Sequence, residues 1–172
     1  MYAHKVIKFN YTTYDMRRDQ DVLNPGTSHC NIMTLARRGA GNEASESDEH
    51  PFLYARVLGI FHVNVVYNGP GMIDYNPQQF DFLWVRWYDL EELAVTGKGT
   101  KPKGSPFHLD RLAFPSLNAE GAIGFLDPAN VLRSCHIIPA FSKGKRYLDG
   151  QGLSKHARDS GDWKNYYVSR YD

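Results

Sequence analysis

The sequence predicts a mainly β fold: a small barrel, closed or partly open, with one or two short helices and long polar loops. Three observations carry that expectation. The runs from Phe52 to Val66 and from Phe80 to Tyr88 are dense in aromatic and β-branched side chains, which pack well on a pleated sheet. Between them, Tyr67-Asn68-Gly69-Pro70-Gly71 is turn chemistry that disfavours a continued strand. Long polar stretches separate the remaining short apolar runs, as in a fold of many strands and few helices. Closure would protect central strands this apolar from exposing an open edge.

The elements follow in order. Val6 to Tyr11 alternates in part and reads as a first strand. Asp15 to Asp21 is polar and leads to the turn signal Asn24-Pro25-Gly26. His29 to Ala36, with Ile32, Met33 and Leu35, reads as a returning strand. After the two long strands, Asp89 to Ala94 is a candidate helical turn. Asp127-Pro128 is a clearer helix start: the carboxylate caps orphan amides and proline fits the first helical position. That helix is expected over Ala129 to Arg133. Cys135 to Ile138 and Trp163 to Val168 read as closing strands. Residues 37–49, 96–106 and 142–162 offer little to bury and are expected as flexible insertions, with Tyr147 and Leu148 as anchors of the third.

At 172 residues the chain suits a single domain, residues 1–172, and that size buries roughly 70% of the unfolded surface. A hydrophobic fraction of 42% and an aromatic fraction of 13% support a core over disorder. A net charge of +1 and a pI near 7.8 argue against a strongly electrostatic partner. Met1 to Val6 carries no apolar h-region, so no secretory signal is read there. The longest apolar run is interrupted by Arg56 and His62 and is too short and polar for a membrane helix. Two cysteines make no disulfide framework. The expectation is a reduced, intracellular chain with no membrane contact and no cofactor.

Several segments together carry a resemblance: Phe9 to Asp21 followed by Gly26, Tyr54 to Phe61, Phe82 to Tyr88, Gly124 to Arg133, His136 to Phe141, and Asp162 to Val168. In this order they resemble a C-terminal-type domain of unassigned function. It is found in CACTA (En/Spm)-like plant transposase proteins and in basidiomycete Plavaka-type transposon-derived proteins, and the match is closer to the fungal form. The resemblance implies an SH3-like or bromo-adjacent-homology-like barrel, by fold-level analogy. It also implies a nuclear location and a place in a larger transposon-encoded polypeptide, as a fragment ending just after a strand would have. The sequence shows no acidic triad or ribonuclease-H-like run, so strand cleavage is not expected of this segment.

The candidate chemistry is set against simpler readings. His29-Cys30 and Cys135-His136 supply zinc-type ligands, but adjacent strand residues point to opposite faces. Each pair therefore offers one ligand at most, with Cys30 and His136 as the alternative metal set to ordinary core residues. Either cysteine, served by His29, His62 or His136, is a candidate nucleophile against the default of a small core side chain. His50, His62, His108 and Asp110 are a candidate metal or acid–base set, with Asp110 otherwise a surface partner of Arg111. Lys98, Lys101, Lys103, Lys143, Lys145 and Arg146 are candidate phosphate contacts against a solubilising role. Tyr54, Trp84 and Tyr88 are a candidate peptide groove or aromatic cage. Alternation places Trp84 with Phe82, Arg86 and Tyr88 on one strand face, and Trp87 with Leu83 and Val85 on the other, so one tryptophan is expected in the core. Arg56 and Arg86, on central strands, each need a partner, with Asp81 and Asp89 as candidates.

The expectation is a non-catalytic accessory domain that binds protein or nucleic acid. The alternative is a metal-assisted hydrolase or nuclease.

Overall fold

The computed structural model describes residues 1–12, 15, 17–36, 50–71, 74–91 and 109–169. Among them the fold is mainly β. The strands are β1 (Tyr2–His4), β2 (Ile7–Thr12), β3 (Arg18–Leu23), β4 (Asn31–Leu35), β5 (Phe52–Val65), β6 (Gln78–Leu90), β7 (Asp110–Ala113), β8 (Ile123–Leu126), β9 (Val131–Ser134), β10 (His136–Pro139) and β11 (Tyr166–Ser169). The expected insertions 37–49 and 96–106 lie outside the described residues, as do residues 92–94 of the expected helical turn, whose first two residues, Asp89 and Leu90, instead end β6.

The β5–β6 hairpin is the spine, as its apolar density predicts. Its strands pair antiparallel from Tyr54↔Tyr88 to Val65↔Gln78. Each strand is long enough to serve two neighbours. The first half of β5 pairs with β4 and its second half with β1. On β6, Leu83 to Arg86 pair with β8, and Asp89 and Leu90 with β7. The main sheet runs β10-β11-β7-β6-β5-β4-β9, an open path among the described residues, while β2 and β3 form a separate hairpin. β3 lies in the polar stretch after Tyr11. Its side chains are mostly exposed, and only Leu23 at its end is fully buried.

A register shift between Val57 and Gly59 divides the spine. A bulge of this kind re-aims the side chains that follow. It brings Ile60 into the same apolar cluster as Ala55 and Val57, with Leu83 and Val85 from β6, Ile32 from β4, and Phe9 and Leu23 from the hairpin. Trp87 packs against this cluster, on the face that alternation predicts. The opposite face gathers Tyr54, Tyr88, Met33, Leu112, Phe114, Tyr166 and Val168. The two faces differ in chemistry: one is aliphatic, the other aromatic and polar.

Asp127 does cap a helical turn, accepting from the Ala129 amide at 2.8 Å. The helix is shorter than expected, a single 3₁₀ turn over Pro128–Asn130. From Val131 the chain is already β9, because pairing with β4 supplies the hydrogen bonds that a longer helix would have supplied.

The polar 142–162 stretch departs most from its composition. Ala157, Asp159 and Asp162 within it are buried, whereas the expected anchor Leu148 is 92% exposed. The stretch is held by polar contacts: the Arg146 amide donates to the Asp162 carbonyl, the Lys164 amide to Gly144, and the Asp162 amide to Asp159. Composition measures apolar burial and is blind to anchoring of this kind.

The packing predicts a contrast in stability. Leu83→Ala empties a fully buried site and is expected to cost about 3 kcal/mol. Leu148→Ala is expected to change stability by less than about 0.5 kcal/mol. Urea unfolding of the two variants measures the difference.

Candidate functional site

The polar face of the spine carries an unusual pairing. Arg56 on β5 and Arg86 on β6 are direct cross-strand partners, and like charges placed opposite one another repel. Arg86 is fully buried and the Arg56 side chain is 17% exposed. Asp162 lies between them. Its Oδ1 accepts from Arg56 Nη1 at 2.8 Å and its Oδ2 from Arg86 Nη1 at 2.6 Å. Neither expected partner meets these arginines. Asp81 and Asp89 occupy odd positions on β6, on the opposite strand face from Arg86.

Aromatic rings complete the arrangement. The Phe114 ring lies 3.8 Å from the Arg86 guanidinium carbon and 4.5 Å from that of Arg56. Tyr88 stacks on the same ring at 4.0 Å, and Tyr166 meets both edge-on. The Tyr166 hydroxyl donates to Asp162 at 3.3 Å and accepts from the Trp163 amide at 2.8 Å.

Three members of this cluster, Arg56, Tyr88 and Tyr166, face a cleft of about 300 Å³. Trp163, Cys30 and Arg158 line it with them. Arg158 donates to the carbonyls of Pro25 and Leu58. Asp159 sits beneath the loop, with Leu153 and Ser154 amides donating to its carboxylate at 2.7 and 3.0 Å. A Cβ at Gly152 would collide with that carboxylate, so the seat requires glycine.

The titration directions follow from these surroundings. Burial raises the Cys30 thiol against the opposing pull of Arg56 and Arg158. Burial also raises the phenols of Tyr88 and Tyr166. Burial pulls Arg56 down, but its pKa is raised on balance, and at neutral pH, where the phenols are uncharged, the Asp162 carboxylate is the anion that holds the guanidinium charged. For Asp159, burial pushes the carboxyl up, yet the Ser154 and Leu153 amides with the Arg86 charge prevail and lower it.

The sequence-predicted residues fall as follows. Tyr54 and Tyr88 are buried, with their hydroxyls donating to Asp110 at 2.8 Å and to Asn31 at 3.1 Å. Of the three, Trp84 is half-exposed, near His156. Arg146 donates through Nη1 to the Phe114 carbonyl at 2.7 Å. Lys143 and Lys145 are exposed, and Lys98, Lys101 and Lys103 lie outside the described residues. Cys30 is buried and His136 is exposed on β10. Among the described residues no group of three or more histidine, cysteine or acidic side chains converges for a metal.

His50 and Asp110 do meet, at 3.0 Å, with Tyr54 on the same carboxylate. His62 lies apart from them, 2.5 Å from His4 on β1, and His108 is outside the described residues. Arg111 pairs with Glu91 at 2.8 Å instead of with Asp110. Sequence reasoning missed Asp159, Asp162 and Arg158, which come from the stretch read as an insertion. The one signal pointing toward them was the pair of strand arginines in need of a carboxylate.

No protein-family model, curated protein or solved structure matches this chain.

Two outcomes follow from the cluster. Asp162→Asn leaves two guanidiniums without their shared carboxylate and is expected to cost about 3–5 kcal/mol in chemical denaturation. The lowered carboxyl of Asp159 stabilises the fold above the ordinary aspartate value of about 4, and that contribution is lost as pH falls through the lower folded value. The stability gap between the native chain and Asp159→Asn is therefore expected to be full at neutral pH and to close in acid. Denaturation at a series of pH values measures it.

Proposed function

We propose that this chain is a non-catalytic accessory domain of a transposon-derived polypeptide. On this reading it acts in the nucleus by binding nucleic acid or a chromatin-type protein, on a partly open SH3-like or bromo-adjacent-homology-like framework. One observation carries the choice of binding over chemistry: the groups converging at the cleft have fixed charge states at neutral pH. General acid–base catalysis needs a group whose pKa lies near the working pH. Here Arg56 is held charged, while Tyr88, Tyr166 and Cys30 are held neutral by burial. A thiol pushed up in this way is a poor nucleophile.

Of the two partner classes, the nucleic-acid backbone has the better support. Lys143 and Lys145 are exposed on the same connection that delivers Asp162, and flexible lysines suit phosphates without reading sequence. The peptide-groove version is weakened by the burial of Tyr54 and Tyr88. Favouring the rival hydrolase or nuclease is the contact of His50, Asp110 and Tyr54. Stoichiometric zinc, manganese or iron in the purified chain, read by mass spectrometry, would promote that rival.

Fluorescence anisotropy with labelled DNA and RNA tests the main reading. The expected result is weak binding whose logarithm falls linearly with the logarithm of salt concentration. The double variant Lys143→Glu, Lys145→Glu is expected to reduce that slope by about two. Absence of binding at low salt eliminates the nucleic-acid version.

A further inference from the structure

We propose that the cleft between Arg56 and Arg158 is a binding site for an oxyanion, a carboxylate or phosphate group on a small molecule with an apolar body. The inference stands independently of nucleic-acid binding and rests on three observations.

The first is charge balance. Two guanidiniums, Arg56 and Arg86, share the single carboxylate of Asp162. Arg158 adds a third guanidinium, which is in no ion pair among the described residues. The carboxylate of Asp159, held by backbone amides and drawn by the Arg86 charge, is the second anion of the group, so three guanidiniums stand against two carboxylates. A surplus of positive charge against low-dielectric walls focuses its field into the opening and attracts an anion.

The second is hydrogen-bonding capacity. Arg86 is fully buried, yet its Nε and Nη2 groups have no acceptor. Buried donors without partners are uncommon. Arg86 is not itself a lining residue, but it sits behind Asp162 and draws on the carboxylate that would otherwise neutralise Arg56. Arg56 therefore faces the cleft with its counter-ion shared.

The third is backbone strain at Arg158. Among the described residues, Arg158 is the only non-glycine with positive φ, at 53°. That conformation costs an ordinary side chain about 1–2 kcal/mol, and glycine or asparagine adopts it more readily. Strain of this sort gathers at ligand sites, where the side chain justifies the backbone. Here it belongs to a lining residue of the cleft whose guanidinium is held by the carbonyls of Pro25 and Leu58 and whose own carbonyl accepts from Arg56.

The remaining wall chooses the ligand's other end. Ile137, Pro139 and Trp163 present apolar surface beside the charged groups. The volume of about 300 Å³ fits a compact ligand. Planar, paired oxygens suit guanidinium donors, whether they belong to a carboxylate or a phosphate.

Calorimetry on the full chain tests the proposal, with sodium phosphate and sodium benzoate as separate probes and sodium chloride holding ionic strength constant. Saturable binding of either probe is expected, and which one binds tells phosphate from carboxylate. Gly161 lines the cleft, and a Cβ there meets open space, so Gly161→Asp adds a competing carboxylate without a clash. It is expected to weaken binding about tenfold or more through like-charge repulsion. The neutral Gly161→Asn should bind nearly as the native chain does. Arg158→Gln is read in the same way as the aspartate variant should that variant fail to fold. Heats equal to those of chloride for both probes overturn the proposal. So do equal losses in the aspartate and asparagine variants, or full affinity in Arg158→Gln. Small-anion binding without nucleic-acid binding sinks only the reading in the previous section, and the reverse sinks only this one.

Discussion

Two arginines facing each other across adjacent strands, in the interior, are the constraint from which the rest of this structure follows. Arg56 and Arg86 repel, and the desolvation of each guanidinium is costly unless hydrogen bonds and opposite charge compensate. Asp162 supplies both at once, with one oxygen on each guanidinium. The Phe114 ring supplies a second form of compensation, because its π face attracts cations and it lies within 4.5 Å of both guanidinium carbons. Remove either element and the other cannot hold the pair.

That demand dictates the path of the chain far from the spine. Asp162 must arrive from the long connection between β10 and β11, so the connection has to be seated against the sheet despite its polar composition. Hydrogen bonds do this: Asp159 gathers the amides of Leu153 and Ser154, Arg146 grips the Phe114 carbonyl, and Arg158 reaches Pro25 and Leu58. The aliphatic face of the same hairpin needs nothing of the kind. It closes by ordinary apolar burial against β4 and the β2–β3 hairpin. One ribbon thus has a generic core on one side and an electrostatic assembly on the other.

This division explains what was legible in the sequence. The β5–β6 spine was readable because aromatic and β-branched density is a local property, and the side of Trp87 followed from alternation alone. The cap at Asp127 was readable for the same reason, though tertiary pairing of β9 shortened its helix. The strand β3 was not legible, since its side chains are mostly polar and its pairing with β2 is made by backbone. The site itself was half visible. Two strand arginines announced a missing carboxylate, but the partner lies 106 residues from Arg56 in the chain, and no local pattern encodes such a contact. Parity did carry usable information: Asp81 and Asp89 sit at odd positions and face away from Arg86. Tyr54 and Tyr88 misled in the opposite direction, because a sequence cannot say that a tyrosine hydroxyl has a buried acceptor.

Stability alone is a weak reason for such an assembly. A buried ion pair is often no better than well-packed apolar residues of similar volume, because desolvation offsets the Coulomb attraction. The aliphatic side of this hairpin shows that the chain can close a face by apolar packing. On the other side the charges are fixed, since Arg56 is held ionised and the neighbouring phenols and thiol are held neutral. A buried cluster of guanidiniums is a poor adhesive. It is well suited to stabilising a negative charge brought from outside. The cleft is lined by Arg56 and by Arg158 with its positive φ, so the buried arginine assembly and the cleft are one feature of the fold.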